Sequence, residues 1–135
     1  MPLPVTAFVA AACALLLLVT AIMTVRARLR AKVAFGDGGD DAITRASRSH
    51  GNLAEHAPII VILFGLLENV RANHMALMVI GAAFLIGRVA HVIGLHTPSD
   101  PGKAPLGRQI GVVATWATML VLSLWVLWLL ATQNF

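Results

Sequence analysis

Two long apolar runs decide what this chain can fold into. Neither the run from Pro2 to Val25 nor the run from Ile110 to Thr132 carries an acidic or basic side chain, and each is long enough to cross a membrane as a helix of about 20 residues. Hydrophobic residues make up 59% of the chain and charged residues 12%, which is outside the usual range of soluble domains. At 135 residues the chain has room for about four spanning helices. The sequence therefore predicts an all-α membrane protein, a four-helix transmembrane bundle that forms a single domain over residues 1–135.

The four helices are predicted over residues 3–30, 43–70, 74–96 and 106–132. The second is the least obvious, because the uncharged stretch between Glu55 and Glu68 corresponds to only about 18 Å of helix, whereas a hydrocarbon core is roughly 30 Å thick. This helix must begin near Ile43 and carry polar residues into the membrane or its headgroup region. The first run has no basic residue ahead of it, so we interpret it as a retained helix rather than a signal peptide.

Basic residues are concentrated on one side of the predicted bundle. Loop one is bracketed by Arg26, Arg28, Arg30, Lys32, Arg45 and Arg48. Lys103 and Arg108 mark loop three, whereas the opposite side has only Arg71. The positive-inside rule then predicts that loops one and three are cytoplasmic and that both termini lie on the opposite side. The net charge of +4 follows from this asymmetry, and no nucleic-acid partner is expected.

Polar residues gather on the same predicted side of helices two, three and four. These residues are Arg45, Arg48, Asn52, Glu55, Arg88, His91 and Arg108. The first four are spaced three, four and three residues apart, which places them on one face of helix two. Ionisable residues within a membrane helix are costly and usually face a bundle interior or a wet cavity, so this cluster predicts a binding site.

The chemistry of the cluster favours a small zwitterionic ligand with more than one carboxylate. Arginine side chains bind carboxylates through paired hydrogen bonds, Glu55 can accept a hydrogen bond from an ammonium group, and Asn52 can both donate and accept. A short acidic peptide has these groups. In a purely structural alternative, Arg48 pairs with lipid phosphates, Glu55 pairs with Arg88, and Asn52 bridges helices.

Two other chemistries are disfavoured by spacing. His50, His56 and His91 show no HxxxH or HExxH pattern, and the single cysteine is not near them in sequence, so no metal site is expected. A hydrolase triad built from Ser47 or Ser49 would need its hydroxyl and carboxylate on one short helix without an oxyanion loop.

Three parts of the sequence resemble the MAPEG family, the membrane-associated proteins in eicosanoid and glutathione metabolism. They are RASRSHGNLAEHAP at residues 45–58, GRVAHVIGLHTP at residues 87–98, and the arginine just before a tryptophan-bearing fourth helix. The most specific element is the R-x-x-x-N-x-x-E pattern of Arg48, Asn52 and Glu55. The similarity is strongest to the small bacterial members and the microsomal glutathione transferases.

The resemblance implies a homotrimer in the bacterial inner membrane, with glutathione as co-substrate between neighbouring subunits on the cytoplasmic side. It implies that Arg48, Asn52 and Glu55 bind glutathione, that His56 stands where relatives commonly have a tyrosine, and that Arg108 stabilises the glutathione thiolate. Arg45, Arg88 and His91 complete the set of expected binding residues through their place in the polar cluster.

The function implied is that of a glutathione-dependent membrane transferase or peroxidase. Its second substrate would be a hydrophobic electrophile or a lipid hydroperoxide that reaches the thiolate through the surrounding membrane lipids. The chain departs from better-studied relatives in having no tyrosine. This departure keeps open an alternative function, a noncatalytic membrane module that binds a lipid, a thiol ligand or a protein partner.

Overall fold

In the computed structural model of the protein, which describes residues 1–98 and 102–132, the chain forms four helices. They are α1 (Pro4–Ala31), α2 (Asp41–Asn69), α3 (His74–His96) and α4 (Leu106–Thr132). Each is long and apolar enough to cross a membrane. The predicted fold class, an all-α four-helix membrane protein, is confirmed.

The side chains of Asp40 and Asn73 determine where α2 and α3 begin. The Asp40 carboxylate accepts hydrogen bonds from the backbone N–H groups of Ala42 and Ile43, and Asn73 accepts one from Ala76. Such N-terminal caps satisfy backbone donors that have no partner within the helix. Because Asp40 is the cap, α2 begins at Asp41, slightly ahead of the predicted start at residue 43.

The core is apolar and lies along the middle of the bundle. It is formed by side chains from all four helices, including Val9 of α1, Phe64 of α2, Phe84 of α3 and Leu122 of α4, all essentially inaccessible to solvent. Many other large apolar side chains, such as Leu15, are exposed on the outside. Outward-facing apolar side chains are expected where lipid rather than water surrounds a helix.

Glu68, near the end of α2, caps the first helix. Its carboxylate accepts hydrogen bonds from the N–H groups of Val5 and Thr6 at 2.9 and 2.8 Å, and from the Thr6 hydroxyl at 2.7 Å. The negative charge also lies at the positive end of the α1 dipole. A buried carboxylate thereby joins α1 to α2 at the end of the bundle opposite the polar cluster.

Glycines allow α3 and α4 to approach each other closely. A methyl group placed on Gly107 would lie 2.7 Å from the carbonyl oxygen of Ala90, and one placed on Gly94 would lie 2.6 Å from the carbonyl carbon of Gly107. A methyl group on Gly111 would collide with the side chain of His91. Small residues of this kind are typical of membrane helix interfaces. The contact sets the start of α4, where Arg108 lies, directly against the end of α3.

Candidate functional site

An open cavity of about 410 Å³ lies where the start of α2, the end of α3 and the start of α4 meet. Its walls are formed by Asp41, Thr44, Arg45, Arg48, Asn52, His91, Leu95, Lys103, Pro105, Arg108 and Val112. Cavities that bind small molecules usually measure about 300 to 1,000 Å³. Five of the predicted site residues, on three different helices, therefore border one volume of suitable size.

Arg45 joins the start of α2 to the end of α3. Its Nη1 donates to the backbone oxygens of Leu95 and Thr97, both at 3.4 Å. The last carbonyls of a helix have no partner within the helix and carry partial negative charge, so a cation is favourable there. Arg45 has a structural role in closing this side of the cavity, and it also contributes positive charge to the cavity wall.

Arg88 lies in the interior rather than in the cavity wall. Its side chain is fully buried, and its Nη1 donates to Asn52 Oδ1 at 2.8 Å and to the Thr115 hydroxyl at 3.0 Å. Its Nε and Nη2 have no hydrogen-bond acceptor among the described residues. Arg88 is thus bonded to Asn52 rather than to Glu55, the pairing considered in the structural alternative.

The bond from Arg88 determines which end of the Asn52 amide is available to a ligand. A guanidinium only donates hydrogen bonds, so Arg88 bonds to the amide oxygen of Asn52. The Nδ2 hydrogens of Asn52 take no part in that bond. Asn52 borders the cavity, where its amino group can serve as a donor. The ligand group that faces Asn52 should therefore be an acceptor, such as a carboxylate or a peptide carbonyl.

His91 and Arg108 come together through the close packing of α3 and α4. His91 Nδ1 lies 3.3 Å from the backbone oxygen of Arg108, and since a carbonyl only accepts, Nδ1 carries the hydrogen in this bond. In a neutral ring, Nε2 is then an acceptor. The imidazole is buried, whereas the side chain of Arg108 is exposed toward the cavity. The guanidinium of Arg108 is consequently accessible to a ligand.

Three predicted site residues do not border the cavity within one chain: Arg88, which lies in the interior, Glu55 and His56. Glu55 is exposed on the outer face of α2, and His56 Nδ1 is bonded at 2.7 Å to the Asn52 backbone oxygen one turn earlier. His50 faces α1, where its Nδ1 lies 3.2 Å from the Thr20 hydroxyl. Glu55 and His56 therefore lie outside the cavity that one chain forms.

Thr115 and Asp41 were not identified from the sequence. Thr115 is buried and holds Arg88, and the only sequence signal for it is a hydroxyl within the apolar run of α4. Hydroxyl residues in membrane helices commonly bond across helix interfaces. Asp41 supplies a carboxylate to the cavity wall, a role concealed by its place in a sequence typical of a turn.

The cavity wall combines strong positive charge with one carboxylate. Arg45, Arg48, Lys103 and Arg108 are its basic residues, and Asp41 is its acidic one. Guanidinium groups bind carboxylates through charge-assisted hydrogen bonds, which are about twice as strong as neutral ones. The arrangement is chemically suited to an anionic molecule with several acceptor oxygens.

Four apolar helices with a basic cavity at one end define an integral membrane protein with a candidate site for a polar ligand. The chain belongs to the MAPEG family, whose sequence pattern matches residues 6–128. It is 35% identical over 124 residues to "Inner membrane protein YecN" of Escherichia coli strain K12, covering 92% of this chain and 91% of that protein. The same values hold for the protein of that name from Escherichia coli O6:H1 strain CFT073. No solved structure matches the chain significantly.

Proposed function

We propose that the protein is a glutathione-dependent transferase or peroxidase that acts on hydrophobic electrophiles or lipid hydroperoxides. One observation carries this proposal: three helices bring Arg48, Asn52 and Arg108 to the wall of a single open cavity. Membership of the MAPEG family supports glutathione as the co-substrate. The name of the Escherichia coli relative supports a location in the inner membrane.

Glutathione fits the donors of the cavity wall. Its two carboxylates and two peptide carbonyls are acceptors, and they complement the guanidiniums of Arg45 and Arg48 and the amino group of Asn52. Its ammonium group needs an acceptor, for which Asp41 is available in the same cavity and Glu55 would be available from a neighbouring subunit. The ligand groups therefore match the wall in sign and in hydrogen-bonding role.

Arg108 would favour the reactive form of the sulfur. An unperturbed thiol has a pKa of about 8.5, and the thiolate is the nucleophile. The cation of Arg108 and the first backbone N–H groups of α4 both stabilise negative charge at this point, so they would lower the pKa of a bound thiol. The thiolate then attacks an electrophilic carbon to form a thioether, while a leaving group such as chloride departs with its bonding electrons or, at an activated double bond, the displaced π electrons take up a proton. With a hydroperoxide it attacks the outer oxygen, so that the O–O bond breaks, the alkoxide takes up a proton to give the alcohol, and the sulfur becomes a sulfenic acid. A second thiol then condenses with the sulfenic acid to give a disulfide and water.

The site would be completed by assembly into a homotrimer. Arg48 and Glu55 are exposed on α2 within one protomer, although α2 is a membrane-spanning helix. Charged side chains on membrane helices are costly and usually face a bundle interior or a wet cavity. Contact with a neighbouring subunit would cover these side chains and bring Glu55 toward a ligand.

Equilibrium binding of glutathione to the detergent-solubilised protein tests the proposal. We expect saturable binding at millimolar ligand or below, measured by isothermal titration calorimetry. Arg48→Gln should weaken binding about tenfold to a hundredfold, because a charge-assisted hydrogen bond contributes about 1.5 to 3 kcal/mol. Arg71→Gln removes the same charge from the opposite end of the bundle and should leave binding unchanged. Absence of binding to the folded wild-type protein at millimolar glutathione contradicts the proposal.

A noncatalytic membrane module is the second candidate function. It is favoured by the absence of tyrosine from the chain and by the position of Glu55 and His56 outside the cavity of one protomer. In that case the cavity binds an anionic lipid or thiol ligand without turnover. Binding of glutathione without conjugation of a hydrophobic electrophile such as 1-chloro-2,4-dinitrobenzene would support this candidate over the enzyme.

A further inference from the structure

A second cavity lies on the other side of the α2 start, separate from the candidate glutathione site. Its volume is about 490 Å³, and it is bordered by residues near the end of α1, the start of α2 and the end of α3. Arg26 and Arg30 of α1 and His96 of α3 supply its basic groups. None of these residues borders the first cavity.

The two arginines of this cavity lack acidic partners within the described part of the chain. No hydrogen bond or ion pair of Arg26 or Arg30 is present there, and both side chains are exposed. They are four residues apart on one helix face, where like charges repel. Asp40 also borders the cavity, but its carboxylate is engaged in capping α2. Two guanidiniums beside a recess therefore remain available to an external anion.

The side chains that line the cavity between these basic groups are small. Ala27, Ala31, Ala42 and Ala46 border the cavity, and their short side chains leave the space that a headgroup would occupy. His96 donates from Nδ1 to the backbone oxygen of Val92 at 2.9 Å, which fixes its ring at the edge of this space.

The same face of α1 is apolar deeper in the membrane. Leu15, Val19 and Ile22 are 65%, 50% and 48% exposed, and at 3.6 residues per turn they lie in line with Arg26 and Arg30. A basic recess above an exposed apolar stripe matches an anionic headgroup joined to acyl chains. A soluble anion would use the arginines but gain nothing from the stripe.

We propose that this cavity, the α1 basic recess, binds the phosphate headgroup of an anionic membrane lipid, with the acyl chains along Leu15, Val19 and Ile22. Basic pockets between helices at the cytoplasmic membrane surface bind anionic headgroups, and each such cation contributes about fivefold in affinity. The recess lies at the end of the bundle that the positive-inside rule assigns to the cytoplasm.

Arg28 and Lys32 provide a matched control. They are basic residues of the same helix end, but they point to the opposite side of α1, where Arg28 Nη1 donates to the Ala34 backbone oxygen at 3.4 Å. The double variants R26Q/R30Q and R28Q/K32Q remove the same charge from the same end of α1. Only the first alters the α1 basic recess.

Native mass spectrometry of the full chain, titrated in detergent with dioleoyl phosphatidylglycerol or dioleoyl phosphatidylcholine, measures the binding. We expect the wild type to bind phosphatidylglycerol more tightly than phosphatidylcholine. R26Q/R30Q should bind phosphatidylglycerol about 25-fold more weakly than the wild type, whereas R28Q/K32Q should bind it within about twofold of the wild type. Equal losses in the two double variants, or no loss in either, would overturn the proposal. Displacement of the lipid by millimolar inorganic phosphate would also overturn it, because the site would then recognise a free anion.

Ala27→Leu tests the recess without changing any charge. The larger side chain would fill part of the cavity, so we expect weaker binding of phosphatidylglycerol with unchanged helix content and oligomeric state. This variant keeps the proposal testable if R26Q/R30Q fails to fold. Lipid binding of wild-type strength by the folded Ala27→Leu protein would contradict occupation of the recess.

Discussion

Arg108 is the residue on which the proposed chemistry depends, because its guanidinium is exposed at the start of α4 toward the cavity. A cation beside the sulfur lowers the pKa of the thiol, so it increases the fraction of glutathione that is present as the thiolate near neutral pH. Arg108→Ala should therefore raise the apparent pKa of bound glutathione, and below that pKa each unit of increase should lower the conjugation rate about tenfold. The lost rate should return at alkaline pH, where the thiol ionises unaided.

Titration of the ultraviolet absorbance of the bound thiolate against pH measures this shift. Arg108→Lys keeps the charge, so the pKa of the bound thiol should stay close to its wild-type value. The affinity for glutathione should change little in either variant because Arg48 and Asn52 remain. Identical titration curves and equal rates in the wild type and Arg108→Ala would exclude Arg108 from this role.

Thr115 is the second informative residue, because it holds a buried cation. Thr115→Val keeps the shape of the side chain but removes the acceptor that lies 3.0 Å from Arg88 Nη1. We expect a loss of about 1 to 3 kcal/mol in stability, since a buried charged donor would lose a partner. Thermal unfolding in detergent, followed by circular dichroism, measures the effect.

Thr118→Val is the matched control for Thr115. Thr118 is also buried on α4, but it makes no hydrogen bond to Arg88. The control should unfold within a few degrees of the wild type. A similar decrease in both variants would show that the apolar replacement itself, rather than the bond to Arg88, is responsible.

At the scale of the helix, Glu68 determines how α1 begins. Glu68→Gln replaces one acceptor oxygen with an amino group that faces the N–H groups of α1, so it should destabilise the protein by about 1 to 3 kcal/mol. Hydrogen exchange measured by mass spectrometry should show faster exchange in the first turn of α1.

Glu55→Gln supplies the comparison, because it is the same substitution at an exposed position of α2. It should leave exchange in α1 unchanged and, under the proposed function, weaken glutathione binding instead. Faster exchange in α1 for both variants would contradict a local capping role of Glu68.

The packing of α3 against α4 gives the second prediction at this scale. In Gly111→Ala the new methyl group would lie 2.6 Å from the backbone oxygen of Gly87, so the helices must separate. We expect a loss of about 1 to 3 kcal/mol from overpacking, together with weaker glutathione binding as Arg108 moves away from α2. Thermal unfolding and calorimetry measure the two effects.

Gly65→Ala is the control, because its methyl group would lie at an ordinary 3.7 Å from Thr6 Cγ2. Alanine also has a higher helix propensity than glycine, so this variant should be as stable as the wild type or more stable. Wild-type stability and binding in Gly111→Ala would show that α3 and α4 tolerate a wider separation.

At the scale of the whole molecule, the exposed charges of α2 predict self-association. Glu55 is exposed on α2 outside the cavity, and in the trimer of the proposed function a neighbouring subunit would cover this face. Light scattering coupled to size exclusion, corrected for bound detergent, should give three times the protomer mass. A monomer in several mild detergents would contradict a site shared between subunits.

The helices themselves follow from the sequence. Long uncharged runs such as residues 110–132 leave a membrane helix as the stable form, because each backbone polar group must be satisfied within the segment. The spacing of Arg48, Asn52 and Glu55 is likewise sufficient to predict a polar face on α2. Both inferences are local, since helix length and helix face depend only on residues close in sequence.

The partners of these residues are decided only by the tertiary structure. The bond of Arg88 to Asn52 and Thr115, rather than to Glu55, depends on how α2, α3 and α4 pack together, and glycines set the close approach of α3 to α4. In the same way, Glu68 caps α1 across 63 residues of sequence. Helical periodicity states which side of a helix a residue occupies, but which neighbouring helix lies on that side depends on contacts between residues far apart in the chain.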